Sequence, residues 1–154
     1  MKKVLFSLLS LSLVFGISST ALAKDAKQDE SKLSTLAVFY DREPNNTPAG
    51  ANFFELGNQI NGAFQYEPID SEDYFYFIAP ETGYYNFSLS FNTENHYGLF
   101  LLNNNQVEIG KTTSRNPSFT ARVVKGQKYY LWVDAGSIAH HADPSYSVYT
   151  SKSN

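Results

Sequence analysis

Two short acidic segments hold the residues best suited to chemistry. Asp41 and Glu43 open the run DREPNNTPAG at 41–50, and Asp70 and Asp73 form an Asp-x-x-Asp pair. Carboxylates flanked by amides suit a hard cation, and calcium takes six to eight oxygen ligands at about 2.3–2.6 Å. If a fold brings such groups together, like charges about 5 Å apart repel by roughly 3 kcal/mol per pair at an effective dielectric of 20. A divalent cation relieves that repulsion. Nothing in the chain matches the EF-hand pattern, so the site would be a bespoke one. The same residue types are common in turns for backbone reasons. The residues alone leave both a cation site and a plain loop open.

Other constellations carry less. His140 and His141 precede Asp143, but adjacent histidines on a strand face opposite ways, and in a loop they are solvated. His96 stands beside Tyr97 and reads as a surface residue. Ser137 follows Gly136 but lacks the second glycine of a nucleophile elbow. There is no H-E-x-x-H, P-loop or dinucleotide fingerprint. A nucleophile or base with a partner is therefore not identified, and the expectation is a protein that is not an enzyme. The 154 residues include no cysteine, which excludes disulfides, thiolate chemistry and Cys-ligated zinc. Twelve basic against 15 acidic residues give a net charge of −3. No nucleic-acid partner is expected, because phosphate contacts need clustered Lys and Arg.

These groups must be positioned by strands. Twelve Phe, 11 Tyr and one Trp favour sheet. Short strand-like runs recur at about 58–65, 73–79, 84–91, 97–103, 106–113, 118–124, 128–134 and 145–151. Gly83, Asn103 to Asn105, Asn116-Pro117 and Lys125-Gly126 punctuate them. The expected fold is all-β, an antiparallel sandwich of about eight strands. Leu36 to Tyr40 reads as a strand or packed arm, and Thr47 to Leu56 as room for one helical turn. Alternation places Phe75, Phe77, Tyr85, Phe87, Leu89, Leu99, Leu101, Tyr129, Leu131 and Val133 inward. Tyr130 and Trp132 then point outward, with Tyr76 and Tyr84 as candidates for the same side. Four such rings would make a rigid ligand-binding platform. The blander reading is that they simply cover the sheet.

The chain begins with Met1-Lys2-Lys3, an apolar run from Val4 to Ile17, and Ala21-Leu22-Ala23. This is the pattern of a secretory signal peptide cleaved after Ala23. Residues 24–35 read as a flexible linker, and 36–154 as a single domain. The protein is expected to be secreted and extracellular, with no stable membrane anchor after cleavage.

The ordered set Glu43-Pro44-Asn45-Asn46-Thr47-Pro48, Ile60-Asn61-Gly62, Asp70-x-x-Asp73-Tyr74-Phe75-x-Phe77, Gly83-Tyr84-Tyr85, Gly126-x-x-Tyr129-Tyr130-Leu131-x-Val133 and Tyr146-x-Val148 resembles the bacterial pre-peptidase C-terminal domain. Its collagen-binding members belong to clostridial collagenases. The resemblance covers about residues 40–150. It implies a jelly-roll-like sandwich that accompanies secreted proteases, and none of the residues ahead of it among these 154 is expected to form a protease domain.

In those collagen binders a calcium site joins the N-terminal arm to the second strand. Carried over residue by residue, Asp41, Glu43, Asn45 and Asn46 match the arm, and Asp70 and Asp73 match the strand. Asn46 stands where the relatives have Asp, which removes one negative charge. Glu72 is expected to point away. The same relatives use tyrosines on one sheet face to hold their ligand. The resemblance thus implies a calcium-stabilised, non-catalytic module that engages an extracellular protein or polysaccharide. Tyr76, Tyr84, Tyr130 and Trp132 are its candidate contacts. The alternative is an accessory or chaperone-like factor for a separately encoded secreted protease.

Overall fold

A computed structural model describes residues 36–66, 69–113 and 115–154 of the chain. The leader and linker expected over 1–23 and 24–35 lie outside the described residues. Among the described residues ten strands run in order: β1 Val38–Tyr40, β2 Asn52–Phe53, β3 Gln59–Ala63, β4 Glu72–Ile78, β5 Gly83–Phe91, β6 His96–Asn103, β7 Glu108–Lys111, β8 Ser118–Val123, β9 Lys128–Ser137 and β10 Ser145–Lys152. They form two five-stranded sheets. One has the order β1-β3-β10-β5-β8, and the other β2-β4-β9-β6-β7.

Period-two alternation explains the sandwich. On β5, Tyr85, Phe87 and Leu89 are buried, while Asn86, Ser88 and Ser90 look outward. On β9, Tyr129, Leu131 and Val133 are buried against Leu99 and Leu101 of β6. The two inner faces form one continuous core that also holds Ile60, Phe75, Phe77 and Val148. Aromatic rings interlock across it: Phe77 lies 5.4 Å from Phe54 and 5.4 Å from Tyr129 between ring centroids.

All eight expected strands are present, with ends shifted by a few residues at most. Two short strands join them, and both are edge strands that pair in parallel, β1 with β3 and β2 with β4. The sheets are therefore mixed rather than purely antiparallel. Leu36 to Tyr40 docks as an edge strand from Val38. The stretch 47–56 carries a turn and then β2, so the expected helical turn gives way to pairing with β4. Phe54 decides this: it is fully buried, and its N–H donates to the Tyr76 carbonyl. Burial of that ring outweighs local propensity.

Candidate metal centre and aromatic face

The acidic residues converge at one end of the sandwich. Asp41 follows β1, and its N–H donates to the Asn61 carbonyl of β3. The arm then crosses to the other sheet, where the Asn45 carbonyl accepts from the Tyr74 N–H of β4 at 2.9 Å. Asp70 precedes β4 and is held by its bridge to Gln65. Asp73 lies on the core side of β4, in register with buried Val133. The arm thus links the two sheets, with its carboxylates gathered at the junction.

One ligand atom from each of Asp41, Glu43 and Asp73 lies within 4.8 Å of the others. Amides line the same space. The Asn45 Nδ2 donates to Asp41 Oδ1 at 2.5 Å, its backbone N–H donates to Glu43 Oε2 at 3.0 Å, and the Asn46 Nδ2 donates to Asp70 Oδ1 at 2.5 Å. Asn46 thus does something an aspartate there could not do, since a carboxylate has no proton to donate. Glu72 looks outward from β4, as expected, with the Tyr74 hydroxyl donating to it.

Among the described residues, three buried side-chain oxygens have no hydrogen-bond partner: Asn45 Oδ1, Asp70 Oδ2 and Asp73 Oδ1. Buried polar atoms are nearly always paired, so orphaned acceptors concentrated at one site ask for a cation or a proton. Proton affinity follows the same logic. Burial, and then Glu43 nearby, push Asp41 up to about 6. Burial and Glu43, with Asp41 adding, push Asp70 up to about 6. Burial pushes Asp73 up to about 8 against the lowering hydrogen bond from Tyr146. Acceptors without donors, oxygen-only chemistry and mutual repulsion fit a hard divalent cation.

Sequence reasoning missed the role of Tyr146 and Gly62. The Tyr146 hydroxyl, on β10, donates to Asp73 Oδ2 across the two sheets at 2.5 Å. Burial and Asp73 raise the phenol well above its ordinary range, so it stays a donor. Tyr146 pairs with Gly62 of β3, and a Cβ on Gly62 would fall 2.3 Å from the phenol oxygen. The missing side chain is the space through which the ring reaches Asp73. A signal existed: alternation sends Tyr146 inward, and a buried phenol needs a partner.

The second expected site is partly regrouped. Tyr76 and Trp132 are half-buried on the outer face of the sheet containing β4 and β9, while Tyr130 beside them is buried. Tyr84 is 57% exposed but sits on β5 of the other sheet, opposite Arg122. It therefore cannot share their face. The cause is that β4 and β5 are consecutive in sequence but belong to different sheets. Phe100 and Phe53 take part instead. Trp132 stacks on Phe100 at 4.6 Å and on Tyr74 at 5.8 Å, and Phe53 meets Tyr76 at 5.4 Å. The Lys128 ammonium lies 4.3 Å from the Tyr76 ring and 4.6 Å from the Tyr130 ring. The rings pack on one another, and the Trp132 Nε1 is shut in without an acceptor. The face is a self-packed aromatic ridge rather than a row of free rings.

No helix among the described residues is long and apolar enough to cross a membrane. No protein-family model matches the chain, nor does any curated protein sequence. Solved structures do. The pre-peptidase C-terminal domain of a collagenase from Bacillus anthracis aligns with a TM-score of 0.52 at 18% identity, over 71% of this chain and 99% of that one. A periplasmic inhibitor of g-type lysozyme from Aeromonas hydrophila, PliG, aligns at 12% identity over 77% of this chain and 97% of that one, with a TM-score of 0.45. The chain has the fold of a pre-peptidase C-terminal domain, the resemblance its sequence motifs carry.

Proposed function

We propose that the chain is a secreted, non-catalytic binding module in which calcium locks the 41–46 arm onto the sandwich. Its outer aromatic face would engage an extracellular protein or polysaccharide. The observation that carries this reading is the set of orphaned acceptors, Asn45 Oδ1, Asp70 Oδ2 and Asp73 Oδ1, beside the Asp41–Glu43–Asp73 cluster. Calcium held there would supply the positive charge those oxygens lack, and binding it would displace protons from the raised carboxyls. Without cysteine, an ion that ties the arm to both sheets is a substitute cross-link. For the ligand face, the support is the exposed part of Tyr76 and Trp132, with Phe100 and Lys128 at their sides.

The test is calorimetry with calcium on the chain from Lys24, together with thermal unfolding in EDTA and after calcium is added back. A saturating rise in melting temperature is expected, worth about 2.7 kcal/mol at 100-fold excess over Kd. Asp73→Asn should abolish the response. It should leave the EDTA form folded, because an amide, like the protonated Asp73 carboxyl of the metal-free protein, carries no charge. Absence of heat and of a melting shift at millimolar calcium would overturn the cation site. Capture on polysaccharide and matrix-protein surfaces, compared in calcium and EDTA, then tests the binding role.

A further inference from the structure

A cleft of about 730 Å³ opens at the end of the sandwich where β5 passes to β6. It shares no lining residue with the acidic cluster or the aromatic ridge. Its volume falls within the range of small-molecule sites. Phe91 and Tyr97, with ring centroids 5.0 Å apart, supply its apolar floor. Thr112, Thr113, Arg115 and Pro117 line one part of it, and two of them are tied to the sheets. Leu99 N–H donates to Thr112 Oγ1 at 3.0 Å, and Leu89 N–H donates to the Pro117 carbonyl at 2.9 Å. Buried Asn95, also in the lining, is pinned on both sides of its amide: its Nδ2 donates to the Asp143 carbonyl, and its Oδ1 accepts from the Ala139 N–H. Hydrogen bonds of Thr112, Pro117 and Asn95 thus fix parts of the lining.

Its charge is one-sided. Among the described residues of the lining, Arg115 is the one charged side chain and none is a carboxylate. No acid among the described residues lies within ion-pair distance of Arg115. Ser90, Thr93, Thr112 and Thr113 add hydroxyls. His96 spends Nδ1 on Ser137 Oγ at 3.1 Å, which leaves Nε2 for another partner. In a chain of net negative charge, a cation-lined, acid-free cleft selects an anion. A single planar guanidinium matches a single carboxylate in its two-pronged form, and the Phe91–Tyr97 floor suits an apolar body.

We infer that this cleft binds a monoanionic organic carboxylate with an apolar body, held by Arg115 and seated on Phe91 and Tyr97. The carboxylate comes either from a free acid or from the end of a peptide chain. Titrating N-acetyl-phenylalanine and phenylacetate into isotope-labelled protein separates the two sources. The expected result is shifts of the amides at 89–98 and 112–116, with a Kd of about 1 mM for ligands of fragment size. Tighter binding of N-acetyl-phenylalanine points to a chain end, and tighter binding of phenylacetate to a free acid.

The matching neutral amides, N-acetyl-phenylalaninamide and phenylacetamide, should bind at least about tenfold more weakly, the loss of a charge-assisted contact. Arg115→Gln should lose the same factor with an unchanged melt. Arg115→Lys, which keeps the charge without the fork, should recover part of it, and Arg122→Gln should change nothing. Equal binding of acid and amide, an unaffected Arg115→Gln variant, or an absence of shifts in the cleft would each overturn the inference. None of these results depends on calcium, so they leave the proposed ion site untouched.

Discussion

The phenol of Tyr146 on β10 and the carboxylate of Asp73 on β4 meet at 2.5 Å in the buried end of the sandwich, one from each sheet. The bond ties the candidate ion site to the strand farthest along the chain from the arm. Tyr146→Phe keeps the ring and removes the donor. It leaves a further buried acceptor unpaired, at a cost of about 1–3 kcal/mol. Chemical denaturation in EDTA should show that loss, and an unchanged midpoint would mean the bond contributes nothing.

The raised carboxyls set the pH response of the metal-free protein. Asp41 and Asp70 at about 6, and Asp73 at about 8, all exceed their unfolded value of 3.8. The folded state therefore holds more protons than the unfolded state between those limits. The stability these three groups contribute is fully present below about pH 4 and is lost as pH rises through 6 and on to 8. Melting in EDTA should accordingly fall across that window. Calcium should flatten or reverse the slope, because it takes the place of the protons. A melt in EDTA that rises from pH 5 to 8 would contradict the assignment.

Gly62 offers a steric test of the same link. Alanine there would put Cβ 2.3 Å from the Tyr146 phenol oxygen, so the ring must move away from Asp73. Overpacking of this kind costs about 1–3 kcal/mol. Gly62→Ala should therefore lose stability and weaken calcium binding together. The double variant with Tyr146→Phe should lose less than the sum of the two, since both act on one contact. Strict additivity would show that Gly62 serves another purpose.

Trp132 separates binding from folding less cleanly than an isolated surface ring would. It stacks on Phe100 and Tyr74, so Trp132→Ala removes packing as well as contact area. A loss of about 1–3 kcal/mol is expected, below the ~3–5 kcal/mol of a fully buried aromatic, because Trp132 is half-buried. Binding to a captured ligand should fall in parallel with Tyr76→Ala. Tyr84→Ala, on the other sheet, should leave binding unchanged. If Tyr84→Ala abolishes capture, the ligand face is not the one bearing Trp132.

Local pattern determined much of this protein. Alternation along 84–91 and 128–134 specified which rings face the core, because a strand side chain has only two directions available. The Asp-x-x-Asp pair and the DREPNN arm could be named from residue type, because oxygen donors and turn formers are recognisable without coordinates. Sheet membership was not legible. Tyr76 and Tyr84 are eight positions apart and both face outward, yet β4 and β5 turn into opposite sheets, and nothing local records that. The edge strands were equally obscure: β2 is two residues long and exists because Phe54 finds the core. Tertiary structure alone brought Tyr146 to Asp73 through the gap at Gly62, and placed Arg115, Phe91 and Tyr97 in the lining of one cleft. Such meetings join residues tens of positions apart, and their free energy comes from burial that only the closed sandwich provides.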